Sequence, residues 1–76
     1  WSVSGTVMAP PGSVMVTVLT LEDEVVSTAE LTHPGEFSFT ISLDHAAVKV
    51  EAARRGSPSV TTTCFQGCQP VMLQMQ

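Results

Sequence analysis

Residues 36–43 read EFSFTISL, a strict alternation of apolar and polar side chains. In an extended chain the alternate residues share one face, whereas a helix would scatter them around its circumference. The apolar face of this stretch contains Phe37, Phe39, Ile41 and Leu43. The stretch therefore predicts a β-strand with one face in the core and the other in solvent.

Six further segments with the same period of two flank this strand. They are predicted as strands over Ser2–Met8, Ser13–Leu21, Val25–Leu31, Ala47–Ala53, Val60–Phe65 and Val71–Met75. The gaps hold proline, glycine or acidic residues, and no gap is long enough for a crossover helix. The pattern predicts an all-β fold, a small β-sandwich of about seven mostly antiparallel strands, as a single domain over residues 1–76. We expect its core to contain Val14, Val16, Val18, Phe37, Phe39, Ile41, Val48 and Val50.

The charge of the chain excludes several classes of partner. The net charge is −4, and the basic residues are Lys49, Arg54 and Arg55 alone. Nucleic-acid binding needs several cations on one surface, and direct attraction to an anionic membrane needs a basic cluster. We therefore expect neither. The chain begins at Trp1 with no signal peptide, so we expect any export signal or lipid anchor to lie upstream.

Cys64 and Cys68 are the only cysteines, in the run CFQGC. A structural zinc site requires four nitrogen or sulfur ligands. The other candidate ligands, His33 and His45, lie in separate predicted turns, which disfavours such a site. A redox pair would have the spacing CxxC at a helix start. Free thiols, metal binding and redox chemistry remain alternatives, but a structural disulfide is favoured. Such a bond predicts a compartment outside the reducing cytosol.

No motif in the sequence carries a reaction. The acidic run at residues 22–24 is consecutive, whereas calcium loops alternate their oxygen donors, so a solvated turn is favoured. Asp44 and His45 are adjacent and would point to opposite faces of a strand. The chain has neither a nucleophile motif nor a phosphate-binding glycine loop. We therefore expect a non-enzymatic protein without a cofactor, a metal or a small-molecule substrate.

The segment Ser13–Leu21 is apolar on both faces, because Met15, Leu19 and Leu21 alternate with its valines. One interpretation is a central strand that is covered on both faces. The other is an apolar groove for a protein partner, to which methionine side chains adapt well. In the second interpretation the partner-binding residues are Met8, Met15, Leu19 and Met72.

The order of these features resembles the YscW-type secretin pilotins. The resemblance is carried by the runs at residues 3–7, 10–12, 14–19, 21–23, 34–41 and 48–52. It implies a lipid-anchored protein on the periplasmic face of the outer membrane in a type III secretion system. Such a pilotin binds a secretin subunit and assists its outer-membrane targeting and assembly, and its lipid anchor would precede Trp1.

A second resemblance is to transthyretin-like and carboxypeptidase-regulatory-like modules. These modules also have a glycine near the first strand, a Gly-x-Phe-x-Phe turn and strand, and a following Val-x-Val strand, as at residues 35–39 and 48–50. This resemblance implies a structural spacer in a larger extracellular or surface protein.

Overall fold

A computed structural model describes residues 1–75, which form seven β-strands and no helix. The strands are β1 (Ser2–Met8), β2 (Val14–Leu19), β3 (Val25–Leu31), β4 (Glu36–Thr40), β5 (Ala47–Ala53), β6 (Val60–Phe65) and β7 (Val71–Gln74). The predicted all-β fold of seven strands is confirmed.

The strands form two sheets that pack face to face as a β-sandwich. The three-stranded sheet has the order β4-β1-β7, and the four-stranded sheet has the order β3-β2-β5-β6. Every pair is antiparallel except β1 with β7, which run parallel in the register Gly5 opposite Val71 to Met8 opposite Gln74. The prediction of mostly antiparallel strands is therefore confirmed.

The core lies between the sheets and is built from alternate residues of each strand. In β1 and β2 the inward residues are fully buried and their neighbours lie on the outer faces. All eight expected core residues are buried. The core cluster consists of Val3, Val7, Val14, Val16, Val18, Phe37, Phe39, Ile41, Val48, Val50, Ala52, Cys64, Leu73 and Met75.

Gly5 allows β7 to lie close against β1. A Cβ atom at this position would overlap the carbonyl oxygen of Val71 and lie 2.6 Å from its Cγ2 atom. It would also lie 3.0 Å from Cζ of Phe37. Glycine is therefore required here by space, because any side chain would separate the first and last strands.

Leu43 is not in the core, and the expectation that it shares the buried face of β4 is wrong. Its side chain is 76% exposed. β4 ends at Thr40, and the chain then turns, with the His45 amide donating to the Ser42 carbonyl at 3.1 Å. The alternation in the sequence therefore continues past the point where the backbone leaves the sheet.

The loops gather at two ends of the sandwich. One end, here called the acidic end, contains Trp1 and the loops at residues 20–24, 41–46 and 66–70. The other, here called the arginine end, contains the loops at residues 9–13, 32–35 and 54–59. Arg54 fixes the arginine end by donating to the carbonyl oxygens of Pro10 and Pro11 at 2.6 and 2.9 Å.

Candidate functional site

The four residues predicted to bind a partner lie on two opposite faces of the sandwich. Met8 and Met72 lie on the outer face of the three-stranded sheet. Met72 pairs with Thr6 of β1, and Thr6 and Met8 share one face because they are two residues apart. Met15 and Leu19 lie on the outer face of the four-stranded sheet. The structure therefore does not bring the four together, and no single groove contains them all.

The outer face of β2 is open, so the interpretation in which both of its faces are covered is wrong. β2 is central in its sheet, as that interpretation required, but Met15 is 41% exposed. The hydroxyl of Thr28 lies 3.3 Å from the Met15 sulfur and 3.2 Å from the hydroxyl of Thr17. This face is a mixed surface of methyl, thioether and hydroxyl groups.

A more concentrated apolar feature lies at the acidic end. An open cleft of about 290 Å³ is lined by Thr20, Leu21, Glu22, Asp44, His45, Ala46, Ala47 and Phe65. Phe65 is 65% exposed, and Leu21 is also exposed. Three separate chain segments meet here, so the cleft is a product of the tertiary fold.

Local hydrogen bonds hold the walls of this cleft in place. The Thr20 amide donates to the Glu24 carbonyl at 2.8 Å, and the Asp23 amide donates to the Thr20 carbonyl at 3.0 Å. Asp23 adopts a positive φ of 69°, a conformation that aspartate tolerates better than most residues. On the opposite wall the Trp1 indole N–H donates to the His45 carbonyl at 2.8 Å. The acidic run is therefore a turn, as predicted.

The charges of the chain are segregated along the sandwich. The loops of the acidic end carry Glu22, Asp23, Glu24 and Asp44, four of the seven acidic residues. Lys49 lies at the edge of this group and forms an ion pair with Asp23. Arg54 and Arg55 lie at the arginine end, which leaves the rim of the cleft acidic.

The cysteines form the predicted disulfide. Cys64 is buried at the end of β6, and it is bonded to the exposed Cys68 across a tight turn. The Cys68 amide donates to the Phe65 carbonyl at 2.8 Å, and Gly67 adopts a φ of 82° that favours glycine. The bond fixes the chain immediately after Phe65, and so it fixes one wall of the cleft.

A second concave surface lies over the three-stranded sheet. It has a volume of about 450 Å³, and its lining includes Ser4, Thr6, Glu36, Ser38 and Pro70. Its side chains are mainly hydroxyls on the solvent faces of β1 and β4. Phe37 also lines this surface, but its side chain is buried in the core.

The structure groups no metal-binding side chains in residues 1–75: no set of three or more histidine, cysteine, aspartate or glutamate residues is placed to hold an ion. His33 lies in the turn before β4, with its ring 3.4 Å from the Thr32 hydroxyl. His45 lies at the acidic end, where its carbonyl oxygen accepts the Trp1 bond. The two histidines are thus in separate loops, as the sequence predicted.

Sequence reasoning missed Leu21 and Phe65 as members of one surface. The alternation places Leu21 out of phase with the valines of its strand but predicts that it belongs to that strand. It predicts Phe65 as part of β6 and does not predict which face Phe65 occupies. The available signal was that Phe65 follows Thr61 and Thr63 in the exposed phase of β6, opposite in phase to the buried Cys64.

No helix within residues 1–75 has the length and apolar character needed to cross a membrane. No family model, curated protein or solved structure matches this chain.

Proposed function

We propose that this domain is a non-catalytic pilotin, which binds a secretin subunit and assists its outer-membrane targeting and assembly in a type III secretion system. In this proposal a lipid anchor upstream of Trp1 holds the domain on the periplasmic face of the outer membrane. The partner is a protein segment, and the domain acts by binding it.

The observation that carries the proposal is the exposed apolar surface at the acidic end. Leu21 and Phe65 are large side chains that the fold leaves in solvent beside a cleft, whose lining also includes Thr20, Glu22 and Asp44. Exposed apolar groups that are gathered beside a cleft and rimmed by polar groups are typical of protein-binding surfaces. The disulfide adds support, since such bonds persist in oxidising compartments such as the periplasm.

The resemblance to pilotins also extends over both sheets. The runs at residues 3–7 and 34–41 fall in or next to β1 and β4 of the three-stranded sheet. The runs at residues 14–19 and 48–52 fall in β2 and β5 of the four-stranded sheet. The similarity therefore involves the strands that form the core, and not one hairpin.

The test is co-purification of the secretin with the tagged, full-length gene product from secreting cells, together with membrane fractionation of a deletion strain. We expect the secretin to co-purify and, in the deletion strain, to be lost from the outer-membrane fraction. A tagged Phe39→Ala protein, which lacks a core side chain, is the control for binding by the folded domain. A secretin that does not co-purify and still reaches the outer membrane would overturn the proposal.

A second candidate, the spacer module, has a structural observation of its own. Trp1 lies at the acidic end beside Ile41, whereas the Met75 amide donates to the Met8 carbonyl at 2.7 Å near the other end of β1. The described chain thus enters and leaves at opposite ends of one strand, as modules joined end to end require. Similar β-sandwich domains on both sides of this segment in the gene, without secretin binding, would favour this function.

A further inference from the structure

The exposed apolar side chains of this sandwich are concentrated at its acidic end. Seven large apolar side chains of residues 1–75 are exposed, and four of them lie in or next to the loops of that end. The four are Leu21, Val25, Leu43 and Phe65. Single exposed apolar residues are ordinary, but a gathered set is typical of an interaction surface. The acidic end therefore has the apolar character of a binding surface.

Strand register places two of these side chains on either side of an alanine. Ala47 of β5 pairs with Phe65 of β6, and paired residues share one face of a sheet. The register of β2 with β5, continued two residues beyond Leu19, brings Leu21 level with Ala47 on its other side. All three residues line the cleft. This row of Leu21, Ala47 and Phe65, here called the notch, has a methyl group between two large side chains and can take one bulky side chain.

The backbone around the notch is already hydrogen bonded. The Phe65 carbonyl accepts the Cys68 amide at 2.8 Å, and the Ala46 carbonyl accepts the Gln66 amide at 2.9 Å. On the opposite wall, the amide and the carbonyl of Thr20 both bond within the acidic turn. These walls offer no open row of N–H and C=O groups to which a strand could be added, so a partner must bind the notch through its side chains.

The charges beside the notch favour a basic partner. Glu22 and Asp44 line the cleft and are exposed, and neither forms an ion pair within the described chain. Lys49 lies on the same face of β5, two residues after Ala47, but its ammonium group is paired with Asp23. A lysine or arginine of a partner would be attracted to the two unpaired carboxylates, whereas an acidic residue would be repelled.

We propose that the notch binds a segment of a partner protein that presents one bulky apolar side chain flanked by lysine or arginine. The apolar side chain enters between Leu21 and Phe65 and covers Ala47, and the flanking cations meet Glu22 and Asp44. Burial of the apolar side chain supplies affinity, and the carboxylates supply specificity. This inference rests on the proposed function, because the segment would belong to the secretin.

The same charges disfavour two other occupants. Two copies of the chain that met through this end would oppose the acidic loops of one copy to those of the other. An anionic lipid surface would be repelled by these loops as well. A basic segment of a partner protein is the occupant that the charges fit.

The test titrates three blocked pentapeptides, GKWKG, GKSKG and GEWEG, into isotope-labelled protein that is followed by NMR. We expect GKWKG to shift the amide signals of Leu21, Ala47 and Phe65. GKSKG lacks the apolar side chain and should bind at least about tenfold more weakly, and GEWEG has the opposite charges and should bind at least about threefold more weakly. No shift of these signals by GKWKG at tens of millimolar, or equal binding by the three peptides, would overturn the proposal.

Variants of exposed residues locate the site without a change in the core. Phe65→Ala and Leu21→Ala should each weaken the binding of GKWKG by about threefold or more, since each removes one wall of the notch. Leu43→Ala is the matched control, because Leu43 is an exposed leucine of the same end that does not line the cleft. It should bind as the parent protein does. Unchanged binding by Phe65→Ala, or an equal loss in Leu43→Ala, would contradict the notch.

A double variant, Glu22→Gln with Asp44→Asn, tests the charges. It should bind GKWKG about threefold or more weakly than the parent protein does, and the salt dependence of binding should largely disappear. The control, Glu30→Gln with Glu36→Gln, removes the same amount of charge outside the acidic end and should keep both the affinity and its salt dependence. Equal salt dependence in the two double variants would contradict the role of the carboxylates.

The other two occupants are tested on the free protein. Sedimentation should find a monomer, and vesicles that contain phosphatidylglycerol should not shift the signals of Leu21 and Phe65. A dimer that Phe65→Ala dissociates, or vesicle binding that Phe65→Ala abolishes, would overturn the proposal.

The secretin itself separates this inference from the proposed function. A purified secretin that binds Phe65→Ala and the charge variant as well as it binds the parent protein would overturn the notch as its site and leave the pilotin proposal in place. A secretin that does not bind a protein whose notch binds GKWKG would leave the notch in place and remove the pilotin proposal.

Discussion

The two sheets of this sandwich are assembled in different ways. The four-stranded sheet contains two hairpins of consecutive strands, β2–β3 and β5–β6, joined through β2 and β5. The three-stranded sheet contains no consecutive strands, because β1 brings together β4 and β7 from distant parts of the chain. The pairing of strands within each hairpin of the four-stranded sheet is set by a local turn. The pairing of strands in the three-stranded sheet is set by close packing between distant parts of the chain.

The two sheets also differ in where they carry their phenylalanine side chains, and this difference bears on stability and on binding. The inward face of the three-stranded sheet holds both buried phenylalanines, Phe37 and Phe39, with ring centroids 5.9 Å apart. The four-stranded sheet carries Phe65, the exposed phenylalanine, which lines the cleft at the acidic end. We therefore expect substitutions in the core of the three-stranded sheet to affect folding, and substitutions of exposed cleft residues such as Phe65 to affect binding.

The largest effect is expected for Phe39→Ala, which removes a ring that is 8% exposed. Loss of a buried phenylalanine costs about 3–5 kcal/mol of unfolding free energy, most of the stability of so small a domain. Phe65→Ala, the matched control in the other sheet, should change unfolding by less than about 0.5 kcal/mol. Thermal melts of the two variants compare them, and equal melting temperatures would contradict the division between the sheets.

Gly5→Ala should destabilise the domain by about 3 kcal/mol, because the added methyl overlaps the Val71 backbone, which cannot move without displacing β7. Gly35→Ala is the control, since a Cβ atom there has no neighbour within 4 Å. Chemical denaturation of both variants measures the difference. If Gly5→Ala is as stable as the control, the parallel pairing of β1 with β7 is not as close as described.

Reduction of the disulfide should lower the unfolding free energy by about 2 kcal/mol, since a loop this short constrains the unfolded chain only modestly. The loss should appear as a lower melting temperature in reductant. A variant with both Cys64→Ala and Cys68→Ala should not respond to reductant. Alkylation and mass spectrometry should find no free thiol in the native protein, and two free thiols would contradict the bond.

The smallest effect is expected for Asp23→Asn. Asparagine also tolerates the positive φ at this position, so the change removes the ion pair with Lys49 and keeps the turn. Asp23 is 74% exposed, and such surface pairs contribute about 0.2–1 kcal/mol. The difference from the parent protein should disappear at about 1 M salt, where the screening length is only about 3 Å. Glu22→Gln, which leaves the ion pair intact, is the control for the loss of charge.

The strands could be predicted because alternation is a local signal that half-burial imposes on each strand separately. Val14, Val16 and Val18 are buried because their spacing of two residues places all three on the inward face of β2. The parallel pairing of Gly5 with Val71 could not be predicted, because no local pattern specifies which distant strand will be a neighbour. Leu43 shows the opposite error, in which a local pattern continues beyond the strand.

The candidate site was less predictable than the fold for the same reason. Alternation identified Met8 and Met15 as outward residues, but it could not assign them to different sheets. The cleft depends on three loops that meet only after the sheets have packed. Leu21 and Phe65 line the same cleft only because of the tertiary structure, and their positions in the sequence carry no sign of it.

The pairing of the first strand with the last has a consequence for how the domain folds. Contacts between residues far apart in sequence require closure of a long loop, and they slow folding relative to local hairpins. β2–β3 and β5–β6 can form while the chain is still being synthesised, but β1 lacks one neighbour until residues 71–74 emerge. Completion of the three-stranded sheet is therefore a late step, and its rate is limited by closure of the longest loop in the fold.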